Sequence, residues 1–271
     1  MIVAVVQLNS QANVAENMAQ VAELTKRAKA RGARLVVLPE NFAFMGETED
    51  AKLDVAEAVE GEGAGPITKG LQALARETGV AIVAGGMPER SSDPKRPFNT
   101  SLFVSPQGEL AGKYRKVHLF DVDLPDGTKA LESGATHAGD ALSVVVPFEG
   151  TRVGMSICYD LRFPEYFRLL GAAGAELVTV PAAFTLTTGK DHWHVLMRAR
   201  AIENQVFVLA AAQHGKHPRG RQTYGKSLIV DPWGAVLAEA SEGPGLAVAE
   251  LDFAYLRKVR QSLPCLSHRR F

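Results

Sequence analysis

Ser101-Leu102-Phe103-Val104-Ser105-Pro106-Gln107-Gly108-Glu109-Leu110-Ala111 decides the fold. Its two apolar runs flank Pro106-Gln107-Gly108, a turn signal that leaves no room for a helix, so the segment reads as a β-hairpin. Upstream of it, strands and helices alternate. Residues 2–8 are a short β-branched run, and Asn13 stands at an N-cap position ahead of Val14, Met18, Val21 and Ala28, which recur at helical spacing until Gly32. Residues 34–38 repeat the strand signal, Pro66 opens a second helix through Leu71, Leu74 and Ala75, and residues 80–84 form a third apolar strand. Downstream, the scheme returns: strands over 142–146 and 153–157 around Glu149-Gly150, a helix after Pro164, a strand over 176–180, a helix around 193–203 and a strand over 206–212. A further hairpin turns at Asp231-Pro232-Trp233-Gly234, and a short helix near 255–262 leads to the basic tail His268-Arg269-Arg270. Alternating strands and helices call for helix-covered sheets, and the interposed hairpins add antiparallel strands. About a dozen strand candidates are more than one twisted open sheet usually carries. The expected fold is α/β, a four-layer α-β-β-α sandwich with two mixed sheets; a single doubly wound sheet is the rival. Without a linker or a solenoid repeat, residues 1–271 read as a single domain.

Composition narrows the function classes. At 46% hydrophobic and 22% charged, the 271-residue chain has ordinary globular composition. Thirty Lys plus Arg balance thirty Asp plus Glu, so no net field exists to hold nucleic acid or an anionic membrane surface. Two cysteines, Cys158 and Cys265, are too few for a disulfide framework and suit a reducing compartment. The first residues enter a strand with no basic n-region, and no apolar stretch approaches the ~18 residues of a membrane span. A cytoplasmic protein with a small-molecule partner, no nucleic acid and no membrane is expected.

Three residues stand at the ends of apolar strands, where α/β sheets build their sites. Cys158, in Gly154-Met155-Ser156-Ile157-Cys158-Tyr159-Asp160, precedes a helix; alone, it reads equally as a core cysteine. Glu40 follows Leu38-Pro39, where the bland reading is a solvated loop acid, and Lys116 lies in Lys113-Tyr114-Arg115-Lys116-Val117-His118, where a basic run is usually a solvated face. Brought together, a thiol, a carboxylate and an ammonium would supply nucleophile, base and oxyanion stabiliser. Rival constellations are weaker. His192 and His194 at i and i+2 diverge on a helix, His214 and His217 sit among loop residues, and Gly61-Glu62-Gly63-Ala64-Gly65 follows an acidic stretch rather than a strand. A Cys-His dyad using His118 remains chemically sensible.

These residues carry a resemblance. Leu38-Pro39-Glu40, Tyr114-Arg115-Lys116-Val117-His118-Leu119 and Cys158-Tyr159-Asp160-Leu161-Arg162-Phe163-Pro164-Glu165 are similar to the Glu-Lys-Cys triad segments of the nitrilase superfamily of carbon-nitrogen hydrolases, over nearly the whole length. Within it the chain most resembles the deaminated glutathione amidase branch, through Arg198-Ala199-Arg200-Ala201-Ile202-Glu203-Asn204-Gln205, Ala210-Ala211-Ala212-Gln213, Asp231-Pro232-Trp233-Gly234 and Ser241-Glu242-Gly243-Pro244-Gly245. The resemblance implies Glu40 as base, Lys116 and the Tyr159 backbone N–H as oxyanion donors, Cys158 as nucleophile and Glu132 as a supporting glutamate. It further implies amide hydrolysis through a Cys thioester, without metal or organic cofactor, by a homodimer or higher homo-oligomer, for which Leu263-Pro264-Cys265-Leu266 is a candidate contact. Deaminated glutathione, split to 2-oxoglutarate and cysteinylglycine, is the implied substrate. Phe184-Thr185-Leu186-Thr187-Thr188-Gly189 looks more like the neighbouring ω-amidase branch, which acts on 2-oxoglutaramate; a catalytically silent binding scaffold is the third possibility. Arg162, four residues past the nucleophile, is the candidate partner for a 2-oxo acid carboxylate, with Phe184 beside it; a salt bridge from Arg162 to Glu165 is the competing structural reading.

Overall fold

The computed structural model describes residues 1–124, 127, 129–141 and 143–270. The first half runs β1 (Ile2–Gln7), α1 (Val14–Ala30), β2 (Leu35–Leu38), α2 (Pro66–Thr78), β3 (Ala81–Glu89), β4 (Phe98–Val104), β5 (Leu110–Arg115), β6 (Asp121–Asp123) and β7 (Lys129–Leu131). Next come β8 (Val145–Phe148), β9 (Thr151–Met155), α3 (Pro164–Ala172), β10 (Leu177–Thr179), α4 (Leu186–Asn204) and β11 (Phe207–Ala210). The chain closes with β12 (His214–Lys216), β13 (Gln222–Tyr224), β14 (Leu228–Val230), β15 (Val236–Glu239), β16 (Gly245–Glu250) and α5 (Phe253–Ser262). Two six-stranded mixed sheets result, ordered β16-β1-β2-β3-β4-β5 and β15-β14-β11-β10-β9-β8.

Side-chain alternation sets the layers. In β2, Leu35 and Val37 point into the core shared with the second sheet, while Val36 and Leu38 join Val21, Leu24 and Ala28 of α1 and Leu71 and Leu74 of α2. Trp193 and Met197 of α4 and Phe167 and Leu170 of α3 cover the second sheet, completing the four layers expected from the sequence. No helix among the described residues is long and apolar enough to cross a membrane.

Local chemistry starts and stops the helices. Asn13 accepts the Glu16 N–H at 3.2 Å, as its N-cap position predicts. Glu57 caps α2, accepting from Ile67 N at 3.0 Å and Thr68 N at 2.7 Å, so the helix start beside the Gly61–Gly65 stretch already holds a carboxylate where a phosphate would sit. Helix α4 begins at Leu186, well before the expected 193, because the Thr185 hydroxyl caps it through Thr188 N. The strand expected over 142–146 runs Val145–Phe148; Leu142 lies outside the described residues. The sequence reading contained no counterpart of β16, which pairs antiparallel with β1, Ile2 opposite Glu250.

Two features bring the sheets' strand ends together. Leu8 N–H donates to Ala212 O at 3.4 Å and His214 N–H to Leu8 O at 2.7 Å, while Gln213 Nε2 reaches Glu40 O at 2.9 Å and Ser10 Oγ at 2.8 Å. In β3 the register to β4 shifts between Ala84 and Met87. A Cβ at Gly85 would overlap Pro181, and one at Gly86 (φ +50°) would lie 2.6 Å from Asn99 Oδ1 and 2.8 Å from Glu40 Cγ. The glycine pair therefore lets strand, second-sheet loop and Glu40 approach one another.

Candidate active site

A cavity of about 500 Å³ opens where the two sheets' strand ends converge, and Glu40, Lys116, Glu132 and Cys158 all line it. Glu40 stands two residues past β2, on a turn in which Asn41 adopts φ +58° and donates its N–H to Gly86 O at 2.8 Å. Lys116 directly follows β5, its N–H bonded to Asn99 O at 2.8 Å. Cys158 opens the 3-10 turn Cys158–Arg162 at φ +46°, a left-handed conformation that costs a β-carbon residue about 1–3 kcal/mol. Its surroundings hold it there. Cys158 N–H donates to Pro181 O at 2.8 Å, and Asp160, fully buried, accepts from Ile157 N at 2.8 Å, the Tyr114 hydroxyl at 2.7 Å and His118 Nδ1 at 2.7 Å.

The charged groups form one connected network. Lys116 Nζ donates to Glu40 Oε1 at 2.9 Å and to Glu132 at 2.8 and 3.1 Å. Glu132 also accepts from Phe120 N at 2.7 Å, and Glu40 Oε2 from Ala183 N at 3.0 Å. The Lys116 side chain is 2% exposed, that of Glu40 5% and that of Glu132 14%. Burial opposes the Lys116 charge, yet the two carboxylates, Glu132 ahead of Glu40, hold the ammonium well above its usual pKa. Burial likewise opposes ionisation of Glu132, but Lys116 outweighs it and keeps that carboxyl below its ordinary value. Burial first, then the adjacent Glu40 carboxylate, pushes the Cys158 thiol well up, against the pull of Lys116. The resting thiol is therefore held in its protonated form, next to the Glu40 side chain.

Arg162 and Phe184 line the same cavity. The guanidinium lies 5.0 Å from the Phe184 ring centroid and 6.0 Å from that of Tyr159, and Nη1 donates to His192 Nδ1 at 3.2 Å. That corrects the alternative of an Arg162–Glu165 salt bridge: Arg162 turns to the cavity wall. His118 is engaged by Asp160 and stacks on Phe163 with ring centroids 3.7 Å apart, which removes it as partner of the thiol. His194 faces Glu239 at 2.6 Å while His192 faces Arg162, so the pair diverges as helical spacing requires. His217 lies in a loop, as read, and is buried there, with Nδ1 donating to Ser10 O at 2.9 Å and Nε2 against Thr223 Oγ1 at 2.7 Å; burial lowers its pKa.

Sequence reasoning missed Asn99. Its Nδ2 donates to Glu40 Oε1 at 2.9 Å and to Glu132 Oε1 at 3.3 Å, one amide between two carboxylates. The available signal was a carboxamide in the mostly apolar strand β4. The backbone N–H groups of Ala183 and Phe120 carried no sequence signal at all.

Comparison with known proteins gives this chain relatives in both sequence and fold. The family model for carbon-nitrogen hydrolases matches residues 2–261. A Synechocystis sp. protein named deaminated glutathione amidase is 46% identical over 270 residues, covering 99% of this chain and 97% of that protein. Among solved structures, Saccharomyces cerevisiae Nit3, a member of branch 10 of the nitrilase superfamily, superposes with a TM-score of 0.90 at 34% identity, covering 100% of this chain and 97% of its own. A mutant amidase from Nesterenkonia sp. AN1, with acrylamide added at its active site cysteine, gives a TM-score of 0.79 at 29% identity, covering 98% of each chain. A match of this extent in both sequence and fold makes this chain a member of the carbon-nitrogen hydrolase family.

Proposed function

We propose that this chain is a thiol amidase that hydrolyses a small 2-oxo acid amide, foremost deaminated glutathione, to 2-oxoglutarate and cysteinylglycine. The observation that carries the reading is the convergence of Glu40, Lys116 and Cys158 on one cavity, with Lys116 bonded to Glu40. Glu40 takes the thiol proton as Sγ attacks the amide carbon, and Lys116 with the Tyr159 N–H holds the developing oxyanion. Collapse breaks the C–N bond, Glu40 returns the proton to the leaving amine, and a thioester remains. Water, deprotonated by Glu40, then attacks the thioester; the thiol is regenerated and a carboxylic acid leaves. Thiol, carboxylate and ammonium supply nucleophile, base and charge, so the steps call for no metal or organic cofactor.

The substrate follows from the name of the Synechocystis relative and from Arg162, whose fork can grip a 2-oxo acid carboxylate beside Phe184. Liberation of 2-oxoglutarate from deaminated glutathione and from 2-oxoglutaramate, measured side by side, is the test. A higher kcat/KM for deaminated glutathione supports the reading, a preference for 2-oxoglutaramate makes the chain an ω-amidase, and turnover of neither returns it to a binding scaffold.

The chain is proposed to work in the reducing cytoplasm as one domain that associates at least as a dimer. Leu263, 49% exposed, supports a contact through the C-terminal segment, although Gln205 Nε2 ties the Leu263 carbonyl to its own core at 2.7 Å. A monomer by light scattering at micromolar concentration contradicts the dimer.

A further inference from the structure

The cavity mouth carries cations that make no hydrogen bond to Glu40, Glu132 or Cys158, although the Lys52 charge is felt at Glu132. Lys52, from the 3-10 turn Asp50–Val55, and Arg219 and Arg221, between β12 and β13, all line it. Lys52 Nζ donates to Thr136 Oγ1 at 2.9 Å and stands 3.6 Å from Glu49 Oε2. Arg221 reaches Glu49 Oε1 at 3.0 Å through Nη1 and Gly46 O at 3.0 Å through Nη2, while its buried Nε has no hydrogen-bond partner among the described residues. One carboxylate, Glu49, thus ties the loop after β2 to the β12–β13 hairpin. Arg219 is exposed, makes no hydrogen bond or ion pair among the described residues and is felt electrostatically by Asp50. It holds φ +62°, the kind of backbone strain that gathers at ligand clamps.

We propose that Lys52, Arg219 and Arg221 form a second anion subsite, which takes a carboxylate carried on the leaving-amine half of the amide. The inference rests on Cys158 acting on a 2-oxo acid amide whose acyl end is held at Arg162. Cysteinylglycine extends at most about 7 Å beyond the scissile nitrogen and ends in a carboxylate. The acyl end and the leaving end are then served by different elements, Arg162 on the turn after β9 and the mouth cations on loops outside it.

The existing ion pairs do not block the subsite. The side chains of Arg221 and Glu49 are 36% and 46% exposed, and pairs so exposed are weak because water screens them. An incoming carboxylate shares Lys52 and Arg221 with Glu49 at small cost and gives Arg219 its anion. Because the carboxylate departs with the amine, the subsite acts only up to the thioester. It raises kcat/KM for amides with an acidic leaving group and leaves thioester hydrolysis alone.

The test separates binding from turnover. Cys158→Ala is titrated calorimetrically with deaminated glutathione and with the same compound bearing a C-terminal carboxamide. The acid is expected to bind about tenfold tighter, the scale of one charge-assisted hydrogen bond. Arg219→Gln combined with Lys52→Met, in the same background, is expected to bring the ratio within about twofold, with added salt eroding it in the parent. Equal binding of acid and carboxamide by the parent, or an undiminished ratio in the combined variant, overturns the subsite. Acid-selective binding by Cys158→Ala, together with no hydrolysis of deaminated glutathione by the active enzyme, overturns the reaction reading and leaves the subsite standing.

Discussion

Replacing Glu132 by Gln removes one of two carboxylates that share a single buried ammonium. In the native site Lys116 Nζ makes two contacts to Glu132, at 2.8 and 3.1 Å, and one to Glu40, at 2.9 Å. Breaking a buried pair typically costs about 3–5 kcal/mol because the remaining charge is stranded. Here Glu40 remains as partner, so a loss of about 2–3 kcal/mol is expected, read as a lower urea midpoint at unchanged slope. The kinetic effect is separate. With Glu132 neutral, Lys116 Nζ keeps Glu40 as its one carboxylate partner and loses the two contacts that fix its direction on the other side, so an oxyanion donor is misplaced and kcat should fall about tenfold or more. Stopped assays of 2-oxoglutarate release measure it. Wild-type kcat would refute the reasoning, and lost stability with unaltered kinetics would make Glu132 a purely structural acid.

Cys158→Ala should abolish turnover while the unfolding free energy from urea titration stays within about 1 kcal/mol of wild type, because the thiol supplies the covalent step and little packing; retained turnover ends the amidase reading. Gly86→Ala should lower both stability and kcat, since its Cβ would press on Asn99 and the Glu40 side chain at a left-handed φ; wild-type kcat would show that Glu40 can yield. Arg162→Lys should weaken binding of 2-oxo amides and leave a neutral amide little affected, and equal losses on both assign Arg162 to structure. Stability should also fall at both pH extremes. The depressed Glu132 pKa contributes stability above its unfolded value of about 4.3, lost as pH falls through the folded value; the raised Lys116 pKa contributes below about 10.4, lost as pH rises through the folded value. A urea midpoint that stays flat from acid to alkali contradicts this.

Strand periodicity was enough to set Cys158, Glu40 and Lys116 at strand ends, because alternation and turn residues are local properties of the chain. Their meeting in one cavity depends on which strands are neighbours, and for that the family resemblance did the work. Asn99 stayed hidden because its value lies in register. The shift between Ala84 and Met87 and the absence of a Cβ at Gly86 bring its amide beside Glu40, and nothing near Asn99 in sequence announces either. The loop position of His217 was legible from its neighbours, but its burial was not, because that comes from Ser10, most of the chain away. β16 was missed because its small residues, Gly245, Ala247 and Ala249, give a weak strand signal and its partner is the first strand.

That last pairing shapes how the protein comes to be made. β1 is made more than two hundred residues before β16, which alone closes one of its two edges. β2 can pair with the other edge early, through Val3 opposite Leu35. Until β16 has been made, the nascent chain therefore presents an apolar strand with a row of open N–H and C=O groups, a template for pairing with another chain. The sheet that carries Glu40 is completed by a contact of very long sequence separation, the slow kind to find. Cellular yield should thus be governed by protection of the growing chain, a demand that the stability of the finished enzyme does nothing to relieve.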